Sequence, residues 1–160
     1  MKKFALLLSM LVLFAIANSA HAQGYKSAVG LRLGFPLAVS YKFFISDPAA
    51  IELYLGYRGN TGYNYINPGA MYLYHFPISS VDGLQWYVGG GAQAFLYSYD
   101  FCPDCESFAF GINGALGLDY KFANAPINLS VDWLPTIVIG GGYSGFGGDN
   151  GALSARYTLN

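Results

Sequence analysis

Charge is what this chain has least of. Its 160 residues include 8 Lys and Arg against 9 Asp and Glu, or 11% charged, where soluble domains carry about 25%. There is no basic excess of the kind that binds nucleic acid. Histidine and cysteine are almost as scarce, at two each. A zinc or histidine-rich metal centre is short of ligands. Beyond its first residues the sequence has no apolar run of the roughly 20 residues needed for a spanning helix. What it has instead is 21 Gly, 14 Tyr and 12 Phe, with aromatics at 18%. So aromatic and charge-poor a chain must hide its surface in a partner or in lipid.

The opening residues read as a secretory signal peptide, Met1 to Ala22. Lys2 and Lys3 form a basic start, Phe4 to Ile16 is apolar, and Ala20-His21-Ala22 is a small-x-small cleavage site. Cleavage leaves residues 23–160 as one domain, with six basic residues against nine acidic and a net charge of −3. His75 is then the only histidine.

Residues 23–160 alternate with period two, the signature of strands with one apolar and one polar face. The clearest case is Phe108 to Pro135. Phe108, Phe110, Ile112, Leu116, Leu118 and Tyr120 share one phase, and a turn at Ala123–Pro126 leads to Ile127, Leu129, Val131 and Trp133. Eight such segments can be counted: Tyr25–Gly34, Leu37–Phe43, Ile51–Arg58, Tyr63–His75, Leu84–Tyr97, Phe108–Lys121, Ile127–Pro135 and Gly151–Leu159. In the fourth, Met71 and Leu73 point away from Ala70, Tyr72 and Tyr74. Gly89-Gly90-Gly91 inside the fifth allows a sharp bend. Connections after segments two, four and six are turn-like and carry Pro, and those after three, five and seven are longer. An even number of strands of about ten residues, with short turns at one end and longer loops at the other, describes a transmembrane barrel.

The charged residues take the phase opposite to the apolar ones: Arg32, Lys42, Glu52, Asp119, Asp132 and Arg156. An eight-stranded barrel is just wide enough for side chains to fill it. Three positive and three negative groups inside would pair, since an unpaired buried charge is very costly. Arg32 and Arg156 should be neighbours on one wall with Asp119 and Asp132 facing them, and Glu52 should lie beside Lys42. Val29, Leu31, Leu53, Leu55, Leu116, Leu118, Leu129 and Val131 should face lipid. Tyr57, Tyr120, Trp133 and Tyr157 should lie near its interfaces.

Residues 23–160 resemble the small eight-stranded outer-membrane β-barrel proteins of the OmpX/OmpA-like group, in the short form common in Bacteroidetes-type bacteria. The resemblance rests on Ala28–Gly34, Tyr74-His75-Phe76-Pro77, Trp86–Gly91, Pro126–Trp133 and Ala155-Arg156-Tyr157. The last strand ends Leu159-Asn160, where such barrels usually end on an aromatic. The resemblance implies an all-β, eight-stranded antiparallel up-and-down transmembrane β-barrel in the bacterial outer membrane. Its partners would be outer-membrane lipid and lipopolysaccharide, with the barrel-assembly machinery during insertion, and it would be a monomer. The implied role is non-enzymatic, structural or surface-interacting, with no cofactor. A narrow channel or carrier for small apolar molecules and an outer-membrane lipid-modifying enzyme are the alternatives.

The remaining candidates are few. Outer-membrane lipid hydrolases place a His and a Ser on one strand, but here Pro77 follows His75 by two, so His75 reads as structural or interfacial. Cys102 and Cys105 have CxxC spacing without the helix of a thioredoxin-type site. In an exported loop they read as a disulfide, with a redox or metal pair as the alternatives. Asp100, Asp104, Glu106 and Asp149 fall in loops and read as solvated charge, since no Ca²⁺-loop spacing is present, with a divalent cation shared with lipopolysaccharide phosphates as the alternative.

Overall fold

A computed structural model describes residues 25–99, 102, 107–140 and 144–159. Residues 1–22, which the sequence reading takes as a signal peptide, lie outside the described residues. Ten strands follow in order: β1 (Ser27–Phe35), β2 (Leu37–Ser46), β3 (Ala49–Asn60), β4 (Tyr63–Pro77), β5 (Leu84–Tyr99), β6 (Phe108–Lys121), β7 (Ile127–Trp133), β8 (Thr136–Gly140), β9 (Gly145–Gly147) and β10 (Gly151–Leu159). All pairings are antiparallel. β1 pairs with β2 on one side and β10 on the other, and β5 joins β6, so the sheet closes on itself.

The ten strands make eight staves of a closed barrel. β7 and β8 are one stave: Leu116↔Trp133 and Asn113↔Thr136 hold the same register on β6. Pro135 has no amide hydrogen to donate, but its carbonyl still accepts from Gly114 N at 2.9 Å. β9 and β10 form the eighth stave, interrupted by a bulge. Trp133 faces Gly151 and Thr136 faces Gly147, so one extra residue is accommodated between them. The sequence reading counts no strand between Pro135 and Gly151, and β8 and β9 lie there.

The ring closes with a stagger. From Asp119, paired residues lead through Ser130, Ser154, Arg32, Ala38 and Gly56 to Asn67 on β4. The other way, through Gln85, they arrive at Pro77 on the same strand, ten residues further on. A stagger of this size tilts the strands steeply, so residues side by side in the register lie at different heights along the axis.

Alternation then sorts the side chains. Val29, Leu31, Leu53, Leu55, Leu116, Leu118 and Val131 point outward and are about half exposed, as are Tyr57, Trp133 and Tyr157; Leu129 and Tyr120 are less so. Arg32, Lys42, Glu52, Asp119, Asp132 and Arg156 point inward and are buried. The interior is not uniformly polar. Met71 and Leu73 point into it with Tyr54, Tyr87 and Leu134.

Two departures concern the ends. Half of the expected loop at Gly59–Gly62 is strand: β3 runs to Asn60 and β4 begins at Tyr63, leaving Thr61 and Gly62, with Gly62 at φ 96°. A glycine in the left-handed region suits so short a hairpin loop. β5 also runs past Tyr97 to Tyr99.

Glycines inside the wall make room for rings. Gly117 is the register partner of Tyr87 on the next strand. A Cβ there would stand 2.6 Å from both the Tyr87 hydroxyl and the Val131 carbonyl oxygen. Because one obstacle is backbone, the clash cannot be relieved by a rotamer change. Gly117→Ala is expected to cost about 1–3 kcal/mol, read as a lower urea midpoint. Gly90→Ala, on the outer face with only Asn113 O at 3.3 Å, should change it much less.

Candidate functional site

The only concentration of ionisable groups among the described residues is inside the barrel. Glu52 is the centre. One of its carboxylate oxygens, Oε1, accepts from Arg32 Nη1 at 3.0 Å and also from Arg156 Nη2. Arg32 Nη2 donates to Asp132 Oδ1 at 2.7 Å, and the Tyr87 hydroxyl donates to Asp132 Oδ2 at 2.9 Å. Arg156 also donates through Nε to Ser40 Oγ at 3.1 Å and through Nη1 to Ser130 Oγ at 2.7 Å.

A second group lies nearer the end that holds both termini. Lys42 Nζ donates to Asp119 Oδ2 at 2.8 Å, and Asn128 Nδ2 donates to Asp119 Oδ1 at 2.9 Å. The rings of Phe44, Tyr25 and Tyr87 stand 5.5, 5.8 and 5.9 Å from the ammonium, within cation–π range. His75 completes the group. Its Nδ1 is 3.3 Å from Pro48 O and its Nε2 3.3 Å from Lys42 Nζ. Nδ1–H donates to the carbonyl, and Nε2 is left to accept from the ammonium.

The six charged residues therefore sit together in one lumen, but their pairing differs from the sequence expectation. Arg32 and Arg156 are on adjacent strands, as expected, yet the acid they share is Glu52. Asp119 serves Lys42 rather than an arginine. Lys42 and Glu52 are register partners and still pair with different residues. The tilt is the reason. Each long side chain reaches across the lumen to the acid at its own height rather than to its neighbour in the register.

His75 is fully inside, not at an interface. With its ring nitrogens facing a carbonyl and an ammonium, neither faces a serine hydroxyl, and Asp119 is 3.9 Å from Nε2. Among the described residues no cluster of three His, Cys, Asp or Glu side chains is placed to hold a metal.

Above the charges the interior becomes neutral. The Tyr54 hydroxyl donates to Gln93 Oε1 at 2.8 Å, Gln93 Nε2 donates to Thr136 Oγ1 at 3.1 Å, and Asn150 Nδ2 donates to the same hydroxyl at 3.1 Å. The cavity between Arg32, Tyr54, Gln93 and Leu134 is only about 10 Å³, the space of about one water probe. Higher still, at the end opposite the termini, lie Tyr63, Tyr65, Phe95, Tyr97 and Tyr99. Sequence reading missed this group. Its signal was present as tyrosine or phenylalanine at every second position of 63–65 and 95–99, but the outward phase is equally aromatic elsewhere.

Of the loop residues, Asp149 is exposed and lies 3.8 Å from Arg58. Asp100, Asp104, Cys105 and Glu106 lie outside the described residues, and with them the pairing of Cys105 with Cys102. Comparisons with protein-family models, with curated proteins and with solved structures find no match to this chain. The fold defines its class, a closed eight-stranded antiparallel β-barrel with a charged, side-chain-filled interior.

Proposed function

We propose that this chain is a non-enzymatic integral outer-membrane β-barrel of the OmpX/OmpA-like kind, exported by a cleaved signal peptide. Its body is structural, and its loop end contacts the envelope or the surroundings. One observation carries the reading: Arg32, Lys42, Glu52, Asp119, Asp132 and Arg156 lie inside the barrel, while most of its large apolar side chains point outward, Met71 and Leu73 on β4 being exceptions. Leu31 is 51% exposed and Leu55 51%, while Lys42 and Glu52 are 0%. Water rewards the opposite arrangement, and hydrocarbon rewards this one. A closed barrel also leaves no unpaired edge for lipid to meet.

The membrane would surround the band from Leu31 and Leu55 to Leu116 and Val131. The short turns at Asp47-Pro48 and Ile78–Gly83 would face the periplasm, and Thr61-Gly62 and 100–107 the outside. Fractionation should place the protein with outer-membrane lipid, and unboiled samples should run at a different gel position from boiled ones. A protein found folded and soluble in the periplasm without detergent would overturn the assignment. The small interior cavity speaks for a plug and against a carrier.

The loop cysteines give a separate expectation. Cys102 and Cys105 should form an intramolecular disulfide, so thiol labelling of intact oxidised cells should find neither sulfur free. Serine at both positions should leave the barrel folded, because both fall in sequence between the end of β5 at Tyr99 and the start of β6 at Phe108. Closing so short a loop contributes at most a few kcal/mol.

A further inference from the structure

The turn between β1 and β2 differs from the other connections at the end opposite the termini. Its residues are Leu33-Gly34-Phe35-Pro36-Leu37, with no charged, hydroxyl or amide side chain among them. The β3–β4 hairpin at the same end carries Asn60, Thr61 and Asn64, and the approach to β10 carries Asp149 and Asn150. Leu33, Phe35 and Leu37 point outward, at 51%, 59% and 53% exposure. Pro36 packs against β3, where a Cβ on Gly56 would stand 2.7 Å from its Cγ. The backbone is provided for as well. Leu33, Gly34 and Phe35 have register partners on β10, in Leu153, Ala152 and Gly151, and Leu37 has Tyr57 on β3. Pro36 has no N–H to satisfy. Hydrocarbon rejects a bare turn because its polar groups lack partners. This one is braced on both flanks.

The turn also stops short of the apolar surface around it. From Phe35 the register runs through Gly151 and Trp133 to Leu116 on β6. The stagger of the ring makes those three steps descend by about four residues. Phe35 therefore stands level with Ile112, and outward apolar side chains continue above it. They are Phe108 and Phe110 on β6, Leu96 on β5, Ile66 on β4, Ile139 on β8 and Phe146 on β9, each at least 40% exposed. Over the turn itself lies Arg58. Its Cζ is 4.8 Å from the centre of the Phe35 ring, and its Nη1 is 3.8 Å from Asp149 Oδ2.

We propose that the β1–β2 turn ends within the hydrocarbon of the outer leaflet, where lipid acyl chains close over Phe35 and Leu37 beneath Arg58. The outward side chains of the turn continue the face of Val29, Leu31, Val39 and Leu55 without a polar break. Its backbone needs no water. Hydrocarbon that covers Phe108, Phe110 and Ile139 must pass above Pro36. A guanidinium laid on an apolar ring keeps its stem in that layer and its charge at the head-group level. The barrel then meets lipid with a shorter wall on this side, a mismatch that acyl chains fill by bending over the turn. The inference rests on the membrane reading and on its orientation.

The test uses the full exported chain with Cys102→Ser and Cys105→Ser, refolded into phosphatidylcholine vesicles and checked by unboiled gel mobility. Nitroxide labels are attached one at a time through Phe35→Cys, Leu37→Cys, Leu55→Cys and Thr61→Cys. Collisions with oxygen and with a water-soluble nickel chelate are then measured by spin-relaxation EPR. Oxygen concentrates in hydrocarbon and the chelate in water. The labels at 35 and 37 should match the one at 55. Their oxygen-to-nickel ratio should exceed that at 61 by about tenfold, since a polar chelate partitions steeply out of hydrocarbon. If Phe35→Cys does not refold, Leu33→Cys and Leu37→Cys bracket the turn. A label at 37 as open to the chelate as the one at 61 puts the turn in water and overturns the proposal. A label screened from both colliders overturns it too, because protein and not lipid then covers the turn. Failure of the membrane reading would show separately, as a chain soluble without lipid whose label at 55 is also open to the chelate.

Discussion

Glu52→Ala is expected to be the most destabilising single substitution in the barrel, by at least the roughly 3–5 kcal/mol seen when a buried ion pair loses one member. Two guanidinium groups depend on one carboxylate oxygen, Glu52 Oε1. Without it, Arg156 keeps only neutral hydroxyl and amide partners, Ser40, Ser130 and Asn128. Arg32 keeps Asp132. The lumen would then hold three positive charges against two negative. Asp132→Ala should cost less, because Arg32 retains Glu52 and the Tyr87 hydroxyl is the only other donor released.

The urea midpoint followed by gel mobility in lipid vesicles gives this ordering directly. A double-mutant cycle sharpens it. Arg32 with Asp132 should show clear coupling, whereas Arg156 with Asp132 should be additive within about 0.5 kcal/mol, since the two do not touch directly. The charge swap that can recover part of the loss is therefore Asp132→Arg with Arg32→Asp, which keeps that touching pair opposite in sign although it leaves Glu52 to Arg156 alone. Asp132→Arg with Arg156→Asp would instead turn a guanidinium against Arg32, the residue that Asp132 pairs with, and should recover less. None of these variants should conduct ions, because Tyr54, Met71, Leu73 and Tyr87 still fill the section. Equal midpoints for Glu52→Ala and the parent would mean that these groups are hydrated and that the barrel is not sealed.

Much of this fold was legible because a two-residue period leaves little freedom. Once Leu129 and Val131 share a phase, Asn128, Ser130 and Asp132 must share the other, and a closed sheet then puts all the charges on one side. The strand limits at Phe35, Leu37 and Leu84 were marked by Pro and Gly, which act locally. Two things were not legible. The bulge between β9 and β10 follows from the register across a gap, which depends on how the ring closes and not on the Gly-rich composition of 140–148. The ion-pair partners depend on the tilt of the strands. Sequence gives the neighbour in the register, as with Lys42 and Glu52, but not the height at which each side chain ends. The aromatic group of Tyr63, Tyr65, Phe95, Tyr97 and Tyr99 was hidden for a simpler reason, since in an aromatic-rich barrel an inward Tyr97 and an outward Tyr57 look alike in one dimension.

Asp119→Ala should produce the second large effect, and its partner experiment decides what the charge is for. Removing the carboxylate leaves the Lys42 ammonium with His75 Nε2 at 3.3 Å and three aromatic rings beyond 5 Å. A neutral imidazole and ring faces cannot replace an ion partner in a sealed lumen, so the midpoint should fall by about 3–5 kcal/mol. Asn128 Nδ2 would keep only its longer bond, to Tyr120 O at 3.3 Å. Lys42→Met combined with Asp119→Leu removes both charges and keeps much of the volume, in a pocket already bounded by Tyr25, Phe44 and Tyr87. Replacing a buried pair with apolar side chains is often neutral or stabilising, so the double variant should recover most of the loss at equilibrium. If it does, the pair contributes little net stability and acts chiefly on which strands come together, because Lys42 on β2 and Asp119 on β6 meet only when the ring is closed. The expected signature is a refolding yield below the parent's alongside a near-parental midpoint. A double variant as unstable as Asp119→Ala alone would show instead that the ion pair itself holds this end of the barrel shut.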